Sequence, residues 1–148
     1  MKMILKCLLT GLFLLIMNGC AGAGDFDIKL SGGYSLIRSS AHMVTINKDE
    51  TEFSWGPALI SAKVTELTWD DKYILAKQVG LKRAYPDHPN NSYEIPDETK
   101  ISYWILQESD GKVFGPLTED EFTNKKQELS IPVILKLKSV DSYEKDYS

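Results

Sequence analysis

Between Lys63 and Gly115 the chain runs out and back twice. Lys63-Val64-Thr65-Glu66-Leu67-Thr68-Trp69 is rich in β-branched and aromatic residues, and Asp70-Asp71-Lys72 is turn chemistry. Tyr73-Ile74-Leu75-Ala76-Lys77-Gln78-Val79 then returns until Gly80 stops it. Further on, Ile101-Ser102-Tyr103-Trp104-Ile105-Leu106 is the strongest strand signal in the sequence. Glu108-Ser109-Asp110-Gly111-Lys112 follows as a hairpin turn, in which Gly111 can take a positive φ without steric cost, and Val113-Phe114-Gly115 comes back. Two hairpins in series predict an antiparallel meander, and the rest of the chain has to pack around it.

Upstream, Asp25-Phe26-Asp27-Ile28-Lys29-Leu30 alternates, which predicts a first strand with Phe26, Ile28 and Leu30 on one face. Tyr34-Ser35-Leu36-Ile37-Arg38 and His42-Met43-Val44-Thr45-Ile46, parted by Ser39-Ser40-Ala41, read as a further hairpin. Residues 47–52 are polar and read as a solvated turn, Phe53, Trp55 and Gly56-Pro57 as a bend, and residues 58–62 have no decisive pattern. Residues 81–100 are expected to form a loop, since Pro86, Pro89 and Pro96 cannot donate to a ladder and Asn90-Asn91 favours a turn. A loop longer than ~12 to 15 residues is either mobile or functional.

Thr118 opens the one clear helix, over 118–130. Thr118 is the N-cap, Glu121 completes a capping box, and Leu117 can staple onto Phe122. Acids in the first turn and Lys125-Lys126 later suit the helix dipole; Phe122 and Leu129 share a face; Pro132 blocks extension. Val133-Ile134-Leu135-Lys136-Leu137-Lys138 alternates as a last strand, and residues 141–148 read as a frayed polar tail. The expected class is α+β: mainly an antiparallel meander sheet of about six or seven strands, with one helix of the C-terminal half packed on a face.

The first twenty residues decide where such a domain works. Lys2 and Lys6 give a positive start, Cys7 to Met17 an apolar run, and Gly19 a small residue directly before Cys20. That is the layout of a secretory signal, with an apolar run shorter than the ~20 residues of a spanning helix. The segment resembles a lipobox: Cys20 matches the lipidated cysteine, Gly19 the small residue before it, Met17 the usual leucine, and Asn18 is the loosest fit. The resemblance implies a diacylglycerol thioether on Cys20, cleavage after Gly19 and acylation of the new amino terminus. An uncleaved signal-anchor over residues 4–23 is the alternative; it leaves the cysteine unexplained and puts the globular part on the same outer face. The expected organisation is a leader over 1–19, lipidated Cys20 with a tether over 20–24, one globular domain over 25–140, and the tail. The partner implied is the membrane itself, reached through the lipid on Cys20 from the extracytoplasmic side of the cell membrane.

Removing the leader leaves 129 of the 148 residues, enough for one domain. Lys2 and Lys6 go with it, so the mature part carries −6 against −4 for the whole chain, and a basic nucleic-acid footprint is absent. With Cys7 in the leader and Cys20 on lipid, no cysteine is left for a disulfide, a nucleophile or a thiolate metal site. Packing alone has to hold the fold.

Chemistry is sparse. His42 falls in a predicted strand as a packed or hydrogen-bonded residue, His88 lies exposed in the proline-rich loop, and their spacing draws no metal site. Serines stand in neither a Gly-x-Ser-x-Gly nor a usable Ser-x-x-Lys context. Asp70 with Asp71, Asp97 with Glu98, and Glu119 with Asp120 and Glu121 could serve glycoside hydrolysis if set ~5 to 10 Å apart across a cleft, but each has a local reading as turn, loop or helix start. The aromatic residues carry more weight. Trp69 and Trp104 read as core, whereas Tyr85 and Tyr93, with His88 between them in the long loop, are candidates for contact with a sugar or peptide.

The stretch from Val64 to Leu117 resembles one blade of a TolB-type periplasmic β-propeller, through Trp69-Asp70-Asp71-Lys72-Tyr73, Tyr103-Trp104-Ile105-Leu106, Asp110-Gly111-Lys112 and Gly115-Pro116-Leu117. No repeat at the ~40-residue period of a propeller is present, so the resemblance extends to a four-strand meander only. Nearly the whole chain is similar to a family of small lipoproteins of Gram-positive, endospore-forming bacteria. The residues that carry this are the signal with Cys20, Gly33-Tyr34-Ser35-Leu36-Ile37-Arg38-Ser39-Ser40-Ala41-His42, Val64-Thr65 with Trp69-Asp70-Asp71-Lys72-Tyr73-Ile74, Tyr103-Trp104-Ile105-Leu106 and Gly115-Pro116-Leu117. That family supplies no catalytic residues and no cofactor to carry over. The expectation is therefore a membrane-anchored, non-enzymatic binding module with an envelope protein or cell-wall partner. An envelope hydrolase using carboxylates or His42 is the alternative, and a structural or sporulation-stage accessory a third possibility.

Overall fold

A computed structural model describes residues 25–144. The leader, Cys20, the tether and the last four residues lie outside the described residues.

Among the described residues nine strands form two antiparallel sheets rather than one. The first is β1 (Phe26–Lys29), β2 (Tyr34–Arg38), β3 (Val44–Thr51) and β4 (Ser54–Ile60), in that order. The second contains β5 (Val64–Trp69), β6 (Tyr73–Arg83), β7 (Glu94–Gln107), β8 (Lys112–Leu117) and the two-residue β9 (Lys138–Ser139), in the order β8-β7-β6-β5-β9. Four of its members, β5 to β8, are the expected meander.

The sheets stack face to face. Ile28, Leu36, Val44, Ile46 and Ile60 of the first meet Val64, Leu67, Ile74, Ala76 and Leu106 of the second in one buried cluster. A second cluster lies on the far side of the second sheet, where Leu75 and Ile105 meet Phe122 of helix α1 (Glu119–Glu128) and Ile131 and Leu135 beyond it. Neighbouring residues of β6 and β7 thus serve opposite layers: Ile74 pairs with Leu106 and faces the sheet, Leu75 pairs with Ile105 and faces the helix. A strand covered on both faces reads as a continuous apolar run, whereas β1, covered on one, alternates.

The helix forms as expected. Thr118 Oγ1 accepts from the Glu121 amide at 3.3 Å, and the Thr118 amide donates to Glu121 Oε2 at 2.8 Å, closing the capping box. Phe122 stacks on Tyr103 of β7, ring centroids 5.0 Å apart, which fixes the helix against the sheet.

Besides the number of sheets, the expected bend at Phe53, Trp55 and Gly56-Pro57 needs correction, since Ser54–Ile60 is strand β4, and four further expectations do too. Residues 47–51 belong to β3, with the turn at Glu52 and Phe53, because Asn47 is buried and its Nδ2 donates to the Gly56 carbonyl at 2.7 Å across the irregular β3–β4 register. Residues 133–138 are no strand up to Lys138: the Leu135 amide bonds back to the Pro132 carbonyl at 3.0 Å, turning the chain so that Leu135 and Leu137 pack under the helix. Asp141–Glu144 is a short helix, α2, rather than frayed, since Tyr143 Oη donates to the Leu67 carbonyl at 3.0 Å and its ring lies against Trp69. The fourth concerns residues 81–100.

Candidate functional site

The expected twenty-residue loop is mostly ladder. Past the Val79/Gly80 irregularity, β6 and β7 go on pairing from Gly80↔Asp97 to Arg83↔Glu94, with Leu81 opposite Pro96. Pro96 is tolerated because β8 pairs only with Tyr103 and residues after it, leaving this part of β7 open on its other side. The loop narrows to residues 84–93.

Asp97 holds the hairpin where the register changes. Its Oδ1 accepts from Thr99 Oγ1 at 2.7 Å and from the Thr99 amide at 3.3 Å, and the carboxylate sits 3.6 Å from both Lys82 Nζ and Lys100 Nζ. The Thr99 hydroxyl bond first, then its amide and the two ammonium groups, hold the Asp97 carboxyl below the usual aspartate range despite burial, which pushes the other way. A depressed folded-state pKa stabilises the fold above the unfolded value, and that contribution fades as pH falls through the lower folded value. Protection of the Lys82 and Ile95 amides against hydrogen exchange is therefore expected to drop on acidification below about pH 4. In Asp97→Asn it is expected to be low already at neutral pH and to change little with acid. Equal protection in the two proteins at both pH values would show that the carboxylate does not hold the hairpin.

Beyond that point two proline turns build the tip. The His88 amide donates to the Tyr85 carbonyl at 3.2 Å and the Asn91 amide to the His88 carbonyl at 2.9 Å, placing Pro86 and Pro89 each second in a four-residue turn, where the fixed φ suits them. Asn91 Oδ1 accepts the Tyr93 amide at 2.9 Å, and the Ala84 amide reaches the Tyr93 carbonyl at 2.9 Å, closing the tip. His88 is shared by both turns, and its ring meets Tyr85 edge-on with centroids 6.3 Å apart. Tyr85, His88, Asn90, Asn91 and Ser92 line an open concavity.

Tyr93 meets His42, ring centroids also 6.3 Å apart. His42 is not in a strand: it lies in the link before β3, where Ser40 Oγ accepts the Met43 amide at 3.1 Å. Its ring is half-buried, and Nδ1 is enclosed without a hydrogen bond in the protein. The sequence offered no signal for this neighbour of the tip, because the contact joins two turns far apart in the chain.

One carboxylate of each candidate group, Asp70, Asp97 and Glu121, is engaged locally. Asp70 Oδ1 accepts the amides of Lys72 and Tyr73, both at 2.8 Å, and so closes the β5–β6 turn. Glu108 receives the Ser31 hydroxyl, and Asp71 and Glu108 line one shallow cavity at those turns. Glu121 serves the helix cap, and backbone and hydroxyl bonds to Thr118 lower its pKa. Among the described residues no group of three or more His, Asp or Glu is placed to hold a metal, and no helix is long and apolar enough to cross a membrane.

A family model described as "Protein of unknown function (DUF3997)" matches residues 31–141. No curated protein and no solved structure matches the chain.

Proposed function

Because the chain belongs to the DUF3997 family, whose description names no reaction, we propose from its own residues that it is a lipid-anchored binding module of the cell envelope. In this reading residues 1–19 are a signal peptide, and Cys20 carries the acyl chains, as the resemblance to small lipoproteins of endospore-forming Gram-positive bacteria implies. The domain then stands on the extracytoplasmic face of the cell membrane and presents the tip of the β6–β7 hairpin to an envelope protein or a cell-wall polymer.

The observation that carries the contact surface is the tip itself. Tyr85 and Tyr93 are 52% and 55% exposed on a tip closed by backbone hydrogen bonds, while Tyr34 is 2% exposed in the core. Rigid, half-exposed tyrosines give contact area at small conformational cost, and the adjoining Asn90, Asn91 and Ser92 supply polar groups that fix orientation.

In-cell crosslinking of wild type against the double substitution Tyr85→Ala/Tyr93→Ala tests it. Truncating two such anchors is expected to cost on the order of 2 kcal/mol or more, a loss of at least about tenfold in crosslinked partner. An unchanged partner profile would remove the tip as the contact surface.

A further inference from the structure

We propose that the turn at Val133 and Ile134 is a second membrane contact, seated in an anionic lipid surface. These side chains are 83% and 86% exposed, side by side, on a chain whose neighbours Ile131 and Leu135 are buried. The turn is not a loose apolar end: the Leu135 amide bonds to the Pro132 carbonyl at 3.0 Å, and Lys126 Nζ donates to the Leu135 carbonyl at 3.3 Å. Two aliphatic side chains are thus held outward by a braced turn.

Charge chooses the occupant. From Lys125 to Lys138 there are four lysines and one acid, Glu128, in a chain of net charge −4. Glu128 is taken by Lys125 at 2.5 Å, while Lys136 and Lys138 are exposed and make no ion pair among the described residues. An apolar turn followed in the chain by exposed Lys136 and Lys138 matches an anionic bilayer, where the aliphatic groups enter the boundary region and the lysines remain with headgroups. Phe53 makes the useful contrast. It is 84% exposed at the β3–β4 turn, yet exposed Glu50 and Glu52 stand beside it, and acids there oppose an anionic surface.

Reach requires a membrane-facing surface, and this step rests on the anchored reading above. Five residues from Cys20 to the start of the described chain span at most about 18 Å, so some face of the domain must meet the headgroups.

The test uses the full chain in vesicles of phosphatidylglycerol and phosphatidylcholine containing a trace of phospholipid with a diazirine near the headgroup. Labelled peptides and the intact mass are read from the same sample. Label is expected on residues 132–137 and not at Phe53. Val133→Asp/Ile134→Asp should abolish it without changing thermal unfolding, since both side chains face solvent, and each of Lys136→Glu and Lys138→Glu should lower it about fivefold or more. An acylated chain without label at 132–137 overturns the docking turn and leaves the anchor standing. A chain that lacks acyl groups and is still labelled there keeps the turn and removes the anchor. Crosslinks from this turn to a second copy of the chain would mean that it is a protein interface, and would also overturn the proposal.

Discussion

Leu106→Ala is expected to lower the unfolding free energy by about 3 to 5 kcal/mol. Leu106 is fully buried on β7, opposite Ile74, in the cluster where the two sheets meet. Removing its side chain loses the transfer free energy of the missing carbons and leaves a cavity between two β-sheets, whose hydrogen-bonded backbones cannot collapse into the gap. Against a total stability of about 5 to 15 kcal/mol for a domain of this kind, the loss is a large share. Ile105→Ala, one residue earlier and also fully buried, removes a similar volume from the helix-facing cluster. It should cost about 2 to 4 kcal/mol and speed exchange of the α1 amides first. Urea unfolding followed by tryptophan fluorescence reads both losses. A cost below about 1 kcal/mol for Leu106→Ala would mean that the sheets do not close on each other there.

Gly115→Ala is expected to be damaging for the opposite reason. A Cβ at Gly115 would lie 2.3 Å from Trp104 Cε3 and 2.6 Å from Cδ2, and the backbone there has φ of +150°, which L side chains rarely adopt. Trp104 cannot swing aside freely, because its Nε1 donates to Gln78 Oε1 at 2.9 Å, and Gln78 Nε2 in turn donates to the Ser61 carbonyl at 2.8 Å. Overpacking of this kind costs about 1 to 3 kcal/mol, and the rigid ring network argues for the upper end. Trp104→Leu in the same chain should recover part of the loss, so the double substitution is expected to be less destabilised than the sum of the singles. Strict additivity in thermal unfolding would show that the ring is not what Gly115 accommodates.

Much of the second sheet was legible because its signals are local. Asp70-Asp71-Lys72, the turn ending at Gly111, and the Thr118 and Glu121 capping box each carry their own geometry in a few residues, and β5 to β8 and α1 follow them. The second layer was harder to read. Tyr73-Ile74-Leu75-Ala76 and Tyr103-Trp104-Ile105-Leu106 are continuous apolar runs, the pattern of strands covered on both faces, and they imply a cover on each side rather than a helix on one. Strand β4 was hidden because Ser54-Trp55-Gly56-Pro57 looks like a bend. It is an edge strand paired only with β3, where glycine and proline are tolerated and Ile60 alone is buried.

The candidate site divides in the same way. Pro86, Pro89 and Asn91 could be read as turn formers, and Tyr85, His88 and Tyr93 as residues of an exposed segment. The ladder that carries them outward could not, since it depends on Asp97 closing an irregularity with Thr99, Lys82 and Lys100. Nor could the place of His42 against Tyr93 be foreseen, because nothing in either turn refers to the other.

The intact mass of native protein recovered from a membrane fraction tests the anchored account most directly. The expected species begins at Cys20, lacks residues 1–19 and carries a diacylglycerol together with any further acyl chain on its amino terminus. A soluble, unmodified chain that still begins at Met1 would contradict it.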